Sequence, residues 1–167
     1  MPRRYFRRRY SRKNKYSVER TFGYTDSVST WTQIPASNTT IQNYQTSVGI
    51  VPATELQGMR KVKNFTLSFA KIGTVAAPMV YALVYTPAGT SLNNLNYPAV
   101  DNSVALYEPN QFVISSGLLQ WDAGPMRIHS RLSRNLNSGD TINLILASPS
   151  NNGLQVAIDV TYAITLQ

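Results

Sequence analysis

The chain has 167 residues, 43% of them hydrophobic and only 14% charged, with no cysteine and a single histidine, His129. That length suits one domain, and the composition excludes a disulfide-stapled scaffold, a thiolate metal site, a cysteine nucleophile and a His-rich zinc site. The formal net charge of +8 sits entirely on residues 1–20, which hold nine basic groups against Glu19, while the rest of the chain balances seven basic groups against seven acids.

Residues 1–16 read MPRRYFRRRYSRKNKY and keep neither a helical nor a strand period. Like charges at this density repel, so the segment is expected to be a disordered arm. A solvated tail or a nuclear-import signal would have the same charge, but the residue types favour binding to nucleic acid. Arg3, Arg4, Arg7, Arg8, Arg9 and Arg12 carry guanidinium groups that meet phosphate bidentately, and Lys13 and Lys15 add point charges. Tyr5, Phe6, Tyr10 and Tyr16 are interleaved with them and offer flat faces for unpaired bases at about 1–3 kcal/mol each. The arm contains nothing that would read base edges in a duplex groove, so binding without sequence preference is expected. An import receptor could read the same arm.

From Val18 onward the pattern is period two with turn residues between the runs. Strands are expected at Val18–Trp31, Ile41–Val51, Met59–Ile72, Met79–Thr86, Gln111–Leu119, Met126–Arg134 and Thr141–Ser148. The last strand is the clearest: Leu154, Val156, Ile158, Val160, Tyr162, Ile164 and Leu166 alternate with Gln155, Ala157, Asp159, Thr161, Ala163, Thr165 and Gln167. Within Met59–Ile72, Lys61 and Lys63 share parity with Phe65, Leu67 and Phe69, so this strand must twist, bulge or leave the core before residue 64. Helical turns are expected only at Thr54–Gln57 and Ser103–Tyr107. Eight strands with few helices imply an all-β sandwich or small barrel, and the count suits a double-sheet jelly roll over residues 17–167. Asn152-Gly153 is a two-residue hairpin cue that would pair the last two strands directly. In a jelly roll those strands belong to opposite sheets, so it is read as a wider loop. The apolar run Val75–Tyr85 is broken by Pro78 and falls short of the roughly 18 residues of a membrane span, so no membrane insertion is expected. Sequons at Asn38 and Asn64 are read as chance matches.

The body offers little for catalysis. Arg127, His129 and Arg131 alternate with Met126, Ile128, Ser130 and Leu132, which puts His129 between two cations and Ser130 on the opposite face. No Ser–His pair forms from that spacing, and cations on both sides weigh against His129 as a metal ligand. Arg127 and Arg131 form either a solvated strand face or a phosphate-contacting patch. Arg60, Lys61 and Lys63 form either part of a surface facing nucleic acid or a charged strand end. The acids are scattered, with no spacing for a carboxylate pair or a calcium loop. No enzyme activity, cofactor or metal is expected.

The Arg/Tyr-rich arm followed by Arg20-Thr21-Phe22-Gly23-Tyr24-Thr25 resembles the start of the circovirus capsid protein. Arg60-Lys61-Val62-Lys63 before an aromatic strand resembles a central strand of that family, and the alternating C-terminal strand stands in the matching place. The body is shorter than is usual in the family, which implies trimmed surface loops. The resemblance implies a viral jelly roll assembled as a homo-oligomeric, sixty-subunit (T=1) icosahedral shell, arms inward, around a circular single-stranded DNA genome. It also implies residence in the virion and, during assembly, in the host nucleus, with contacts to a nuclear import receptor and to a host attachment receptor of unspecified type. A ribosomal or other cellular RNA-binding protein with a basic extension is the alternative. Its body should itself be basic, whereas this one is neutral.

Overall fold

The computed structural model describes residues 16–25, 32–34, 43–55, 57–72, 78–92, 112–149 and 155–166. Their strands are β1 (Ser17–Tyr24), β2 (Thr32–Ile34), β3 (Asn43–Val51), β4 (Arg60–Ile72), β5 (Met79–Thr86), β6 (Phe112–Leu119), β7 (Met126–Ser130), β8 (Arg134–Leu136), β9 (Thr141–Ser148) and β10 (Gln155–Leu166). A single 3-10 turn, Trp121–Ala123, separates β6 from β7. The strands form two antiparallel sheets. The first has the order β1-β10-β4-β7 with β8 also paired to β4, and the second has the order β2-β3-β9-β5-β6. The protein is an all-β sandwich, as its alternation requires.

The inner faces share one core. From the first sheet it takes Val62, Phe65, Leu67 and Phe69 of β4 and Val156, Ile158, Val160 and Tyr162 of β10. From the second it takes Met79, Tyr81 and Leu83 of β5 and Ile142, Leu144 and Leu146 of β9. Phe65, Leu67 and Phe69 are at most 1% exposed, so each stabilises the sandwich by about 1.5–3 kcal/mol gross. The second sheet is also covered on its far side. There Val80, Ala82, Val84, Ile145 and Ala147 are buried, with Leu92 and Val113 packed against them. This double burial explains why β5 and β9 read as nearly continuous apolar runs while β10 alternates cleanly.

The parity conflict in β4 is resolved by a bulge. Pairing with β10 jumps from Thr161↔Thr66 to Ala163↔Lys63, so Asn64 and Phe65 together oppose the single residue Tyr162. Asn64 takes φ 56, a left-handed conformation that Asn tolerates better than most residues. The extra residue turns Val62 inward on one side of it and Phe65 on the other, and it sends Lys61 and Lys63 to the outer face.

Several sequence expectations need correction. The eight expected strands are ten among the described residues, because the run Met126–Arg134 breaks into β7 and β8, both beside β4, and because β2 adds a strand next to β3. Of the strand expected to run from Val18 to Trp31, positions 26–31 lie outside the described residues, and β1 ends at Tyr24. Thr25 then closes it by exchanging hydrogen bonds with Val156, its N–H donating to Val156 O (3.0 Å) and its Oγ1 accepting from Val156 N (3.1 Å). The turn expected at Thr54–Gln57 is not helical at the described positions. The Thr54 carbonyl instead accepts from Gly139 N (3.0 Å) and Ser138 Oγ (3.0 Å) of the β8–β9 turn. The turn expected at Ser103–Tyr107 and the Asn152-Gly153 cue lie outside the described residues, but β9 and β10 sit in different sheets and do not pair. The connection between them is a crossing, not a two-residue hairpin.

Candidate nucleic-acid interface

Alternation and register give the first sheet an outer face whose residues can be placed row by row. Arg20, Thr161, Thr66 and His129 form one row across β1, β10, β4 and β7, and Phe22, Asp159, Ser68 and Arg127 form the next. Val18, Ala163 and Lys63 lie on one side of these rows, and Lys61 stands opposite Thr165 and Asn135 at the β8 end. The face therefore gathers Arg20, Lys61, Lys63, Arg127 and His129 from three parts of the sequence. Exposed Arg131 follows directly after β7.

Asp159 is the acid in the middle of this surface, and Arg20 occupies it. Arg20 Nε donates to Asp159 Oδ1 at 2.7 Å and Nη2 donates to Oδ2 at 2.8 Å, a bidentate pair across β1 and β10. The hydrogen bond from Arg20, then its charge and the weaker charge of Arg127, outweigh desolvation and hold the Asp159 carboxyl below its ordinary range. Among the described residues, Lys61, Lys63, Arg127 and Arg131 have no ion pair. Among the described residues the face thus gathers cations without ion-pair partners on a body whose overall charge is neutral.

Aromatic rings lie among these cations. Lys63 Nζ stands 3.8 Å from the centroid of the Tyr16 ring, a cation–π contact that ties the last arm residue to the middle of the sheet. Phe22 and Tyr24 meet edge to face at 5.9 Å and are 60% and 68% exposed, so their apolar faces are open to solvent. Thr66 Oγ1 and His129 Nδ1 are 3.0 Å apart, which orients the imidazole on the surface. Ser130 turns inward, where its hydroxyl donates to Ile114 O at 3.4 Å, so it is no partner for His129. Among the described residues no three His, Asp or Glu side chains gather at one point.

Arg127 is exposed on β7 in the row with Ser68, as its alternation requires. The alternation stops at the strand's end: Arg131 is exposed beyond Ser130, and Leu132, expected on the opposite face, is 52% exposed as well. The arm residues assigned to nucleic acid, from Arg3 to Lys15, lie outside the described residues. Arg60 does not belong to the face. It is 7% exposed and its guanidinium donates to Pro52 O (3.1 Å) and Asp140 O (3.2 Å), bracing the loops at one end of the sandwich. Sequence reasoning missed Thr66 and Asp159 as members of the surface, and it placed Tyr16 among the arm's stacking rings without its contact with Lys63. Only the parity conflict at Lys61 and Lys63 hinted at where those two lysines point. The chain matches no protein-family model and no curated protein.

Proposed function

We propose that this is the capsid protein of a circovirus-like small circular single-stranded DNA virus. In this reading the body is a viral jelly roll, and subunits close into a sixty-subunit T=1 shell that packages the genome through its basic arms. The observation that carries the proposal is the charge layout: every unit of net charge lies in residues 1–20, joined to a neutral sandwich. A protein that lies among nucleic acid on all sides needs a basic body. A protein that forms a wall needs neutral flanks, which can meet one another, and cations on one side only. The strand order supports the jelly roll. The first and last long strands pair, and the runs β1-β10-β4-β7 and β3-β9-β5-β6 draw strands alternately from both halves of the chain. This is the order produced when two Greek keys fold over each other, with β8 continuing β7 and β2 added at an edge. The shell size, the inward direction of the arms, the virion and nuclear locations and the receptor contacts are taken from the family resemblance.

Light scattering and negative-stain microscopy of the purified full chain test the proposal. Closed uniform particles carrying nucleic acid are expected. A monodisperse 18.6 kDa species over a wide range of salt and concentration would sink it.

A further inference from the structure

The bulge in β4 opens a depression of about 520 Å3 on the basic face, lined by Asn64, Phe65, Thr66, His129, Ser130 and Arg131. Phe65 and Ser130 are buried, so the groups offered to a ligand are the amide of Asn64, the imidazole of His129, the hydroxyl of Thr66 and the guanidinium of Arg131. This volume falls in the range of small-molecule sites, about 300–1,000 Å3, and has room for a nucleotide. A similar depression of about 490 Å3 has Tyr24, Thr25, Ile72 and Gln155 in its lining, with no charged side chain among its described residues. The two differ in chemistry rather than size.

Charges flank the first depression on both sides. Arg127 sits two residues before His129 on β7, roughly 6.8 Å along the strand, and exposed Arg131, in the lining itself, follows the end of the strand. Lys63 flanks Asn64 and carries the Tyr16 ring. Cations at both ends with flat and amide groups between them suit a nucleotide of a single strand. In such a seat the phosphates would meet the guanidinium groups, the base would lie against the imidazole, and the Asn64 amide, both donor and acceptor, would face the base edge. A paired base is stacked inside its duplex and cannot enter.

We infer that this depression seats one unpaired base of the packaged strand, with its flanking phosphates on Arg127 and Arg131. The inference rests on the capsid reading and directs the outer face of the first sheet toward the nucleic acid. Tyr16 joins the arm to the body on this face, so one strand can be held by the arm and the sheet together.

The test uses the full chain as dispersed subunits, with two probes of equal length, an oligo-dT and an abasic deoxyribose-phosphate oligomer. His129→Ala should weaken oligo-dT binding about fivefold and leave the abasic oligomer unaffected. Arg127→Gln with Arg131→Gln should weaken both probes and make the slope of log affinity against log salt shallower by about 1.4, two phosphates at about 0.7 each. These side chains are exposed, so the thermal transitions of both variants should match the parent. Equal effects of His129→Ala on the two probes, or none on either, would overturn the base seat while leaving the capsid reading in place. A full chain that binds neither probe would remove both.

Discussion

Asp140 holds three loop ends together at one end of the sandwich, and removing its carboxylate should be among the most damaging changes outside the apolar core. It is 4% exposed and accepts hydrogen bonds from Asn137 N at 2.7 Å, Tyr85 Oη at 2.8 Å and Ala88 N at 3.0 Å. Asp140→Ala strips the acceptor from all three donors, each costing about 1–3 kcal/mol if left buried and unpaired. Ala88 and Asn137 are exposed, so water can rescue part of the loss, and a destabilisation of about 3–5 kcal/mol is expected. Asp140→Asn keeps the shape. With its oxygen turned toward Tyr85 and Asn137, its NH2 meets the Ala88 N–H, donor against donor, for about 1–3 kcal/mol. Burial by itself would raise the Asp140 carboxyl, but the bonds from Asn137, Ala88 and Tyr85 and the charge of Arg60 hold it below its ordinary value. The folded protein therefore takes up this proton less readily than the unfolded chain. The stabilisation is complete above the unfolded carboxylate value of about 3.9 and is lost as pH falls through the lowered folded value. The gap between the parent and Asp140→Asn should shrink over that acid window. Urea unfolding of dispersed subunits, followed by the fluorescence of buried Trp121, measures both effects. An Asp140→Ala protein within about 0.5 kcal/mol of the parent at neutral pH, or a gap to Asp140→Asn that ignores acidification, would refute the reasoning.

Gly139 has φ 82, and a Cβ there would lie 2.8 Å from the Ala88 Cβ; Gly139→Ala should cost more than about 1 kcal/mol in the same urea assay, and adding Ala88→Gly should recover the steric part. At the bulge, Asn64→Gly should be nearly neutral, whereas Asn64→Val should cost about 1–2 kcal/mol because a β-branched residue resists the left-handed backbone. Deleting residues 1–15 removes no described strand, so thermal unfolding of the body should barely move, while purified particles should lose their nucleic-acid absorbance. A peptide of residues 1–20 engaging about 6–9 phosphates of a single strand should show a log–log salt slope near −4 to −6, favour single strands over duplex of equal length and show little sequence preference. Filter binding at several salt concentrations reads both properties.

Much of the fold was legible because alternation is a local property. The inward set Val156, Ile158, Val160 and Tyr162 could be read directly, whereas the double burial of β5 and β9 came only from the structure. The conflict between Lys61, Lys63 and the aromatic residues after them announced an irregularity, because a strand has only two faces. The breaks were less legible. The gap between β7 and β8 follows no breaker residue, and β1 ends at Tyr24 because Thr25 finds its partners on Val156, 131 residues away.

The sequence by itself determined the charged arm, the neutral all-β body and the outward side of Arg127 and His129 on β7, because each depends on composition or on period two within one segment. Only the tertiary structure decided which strands share a sheet. That pairing brings Arg20 of β1 onto Asp159 of β10, Thr66 of β4 onto His129 of β7, and Lys63 onto Tyr16. It also decided that Arg60 braces the loops with Asp140 while its neighbour Lys61 faces outward. The physical reason is that strand pairing joins residues far apart in the chain, and a single inserted residue reverses every side chain beyond it. The identity of a surface is therefore set by register, which no short stretch of sequence contains.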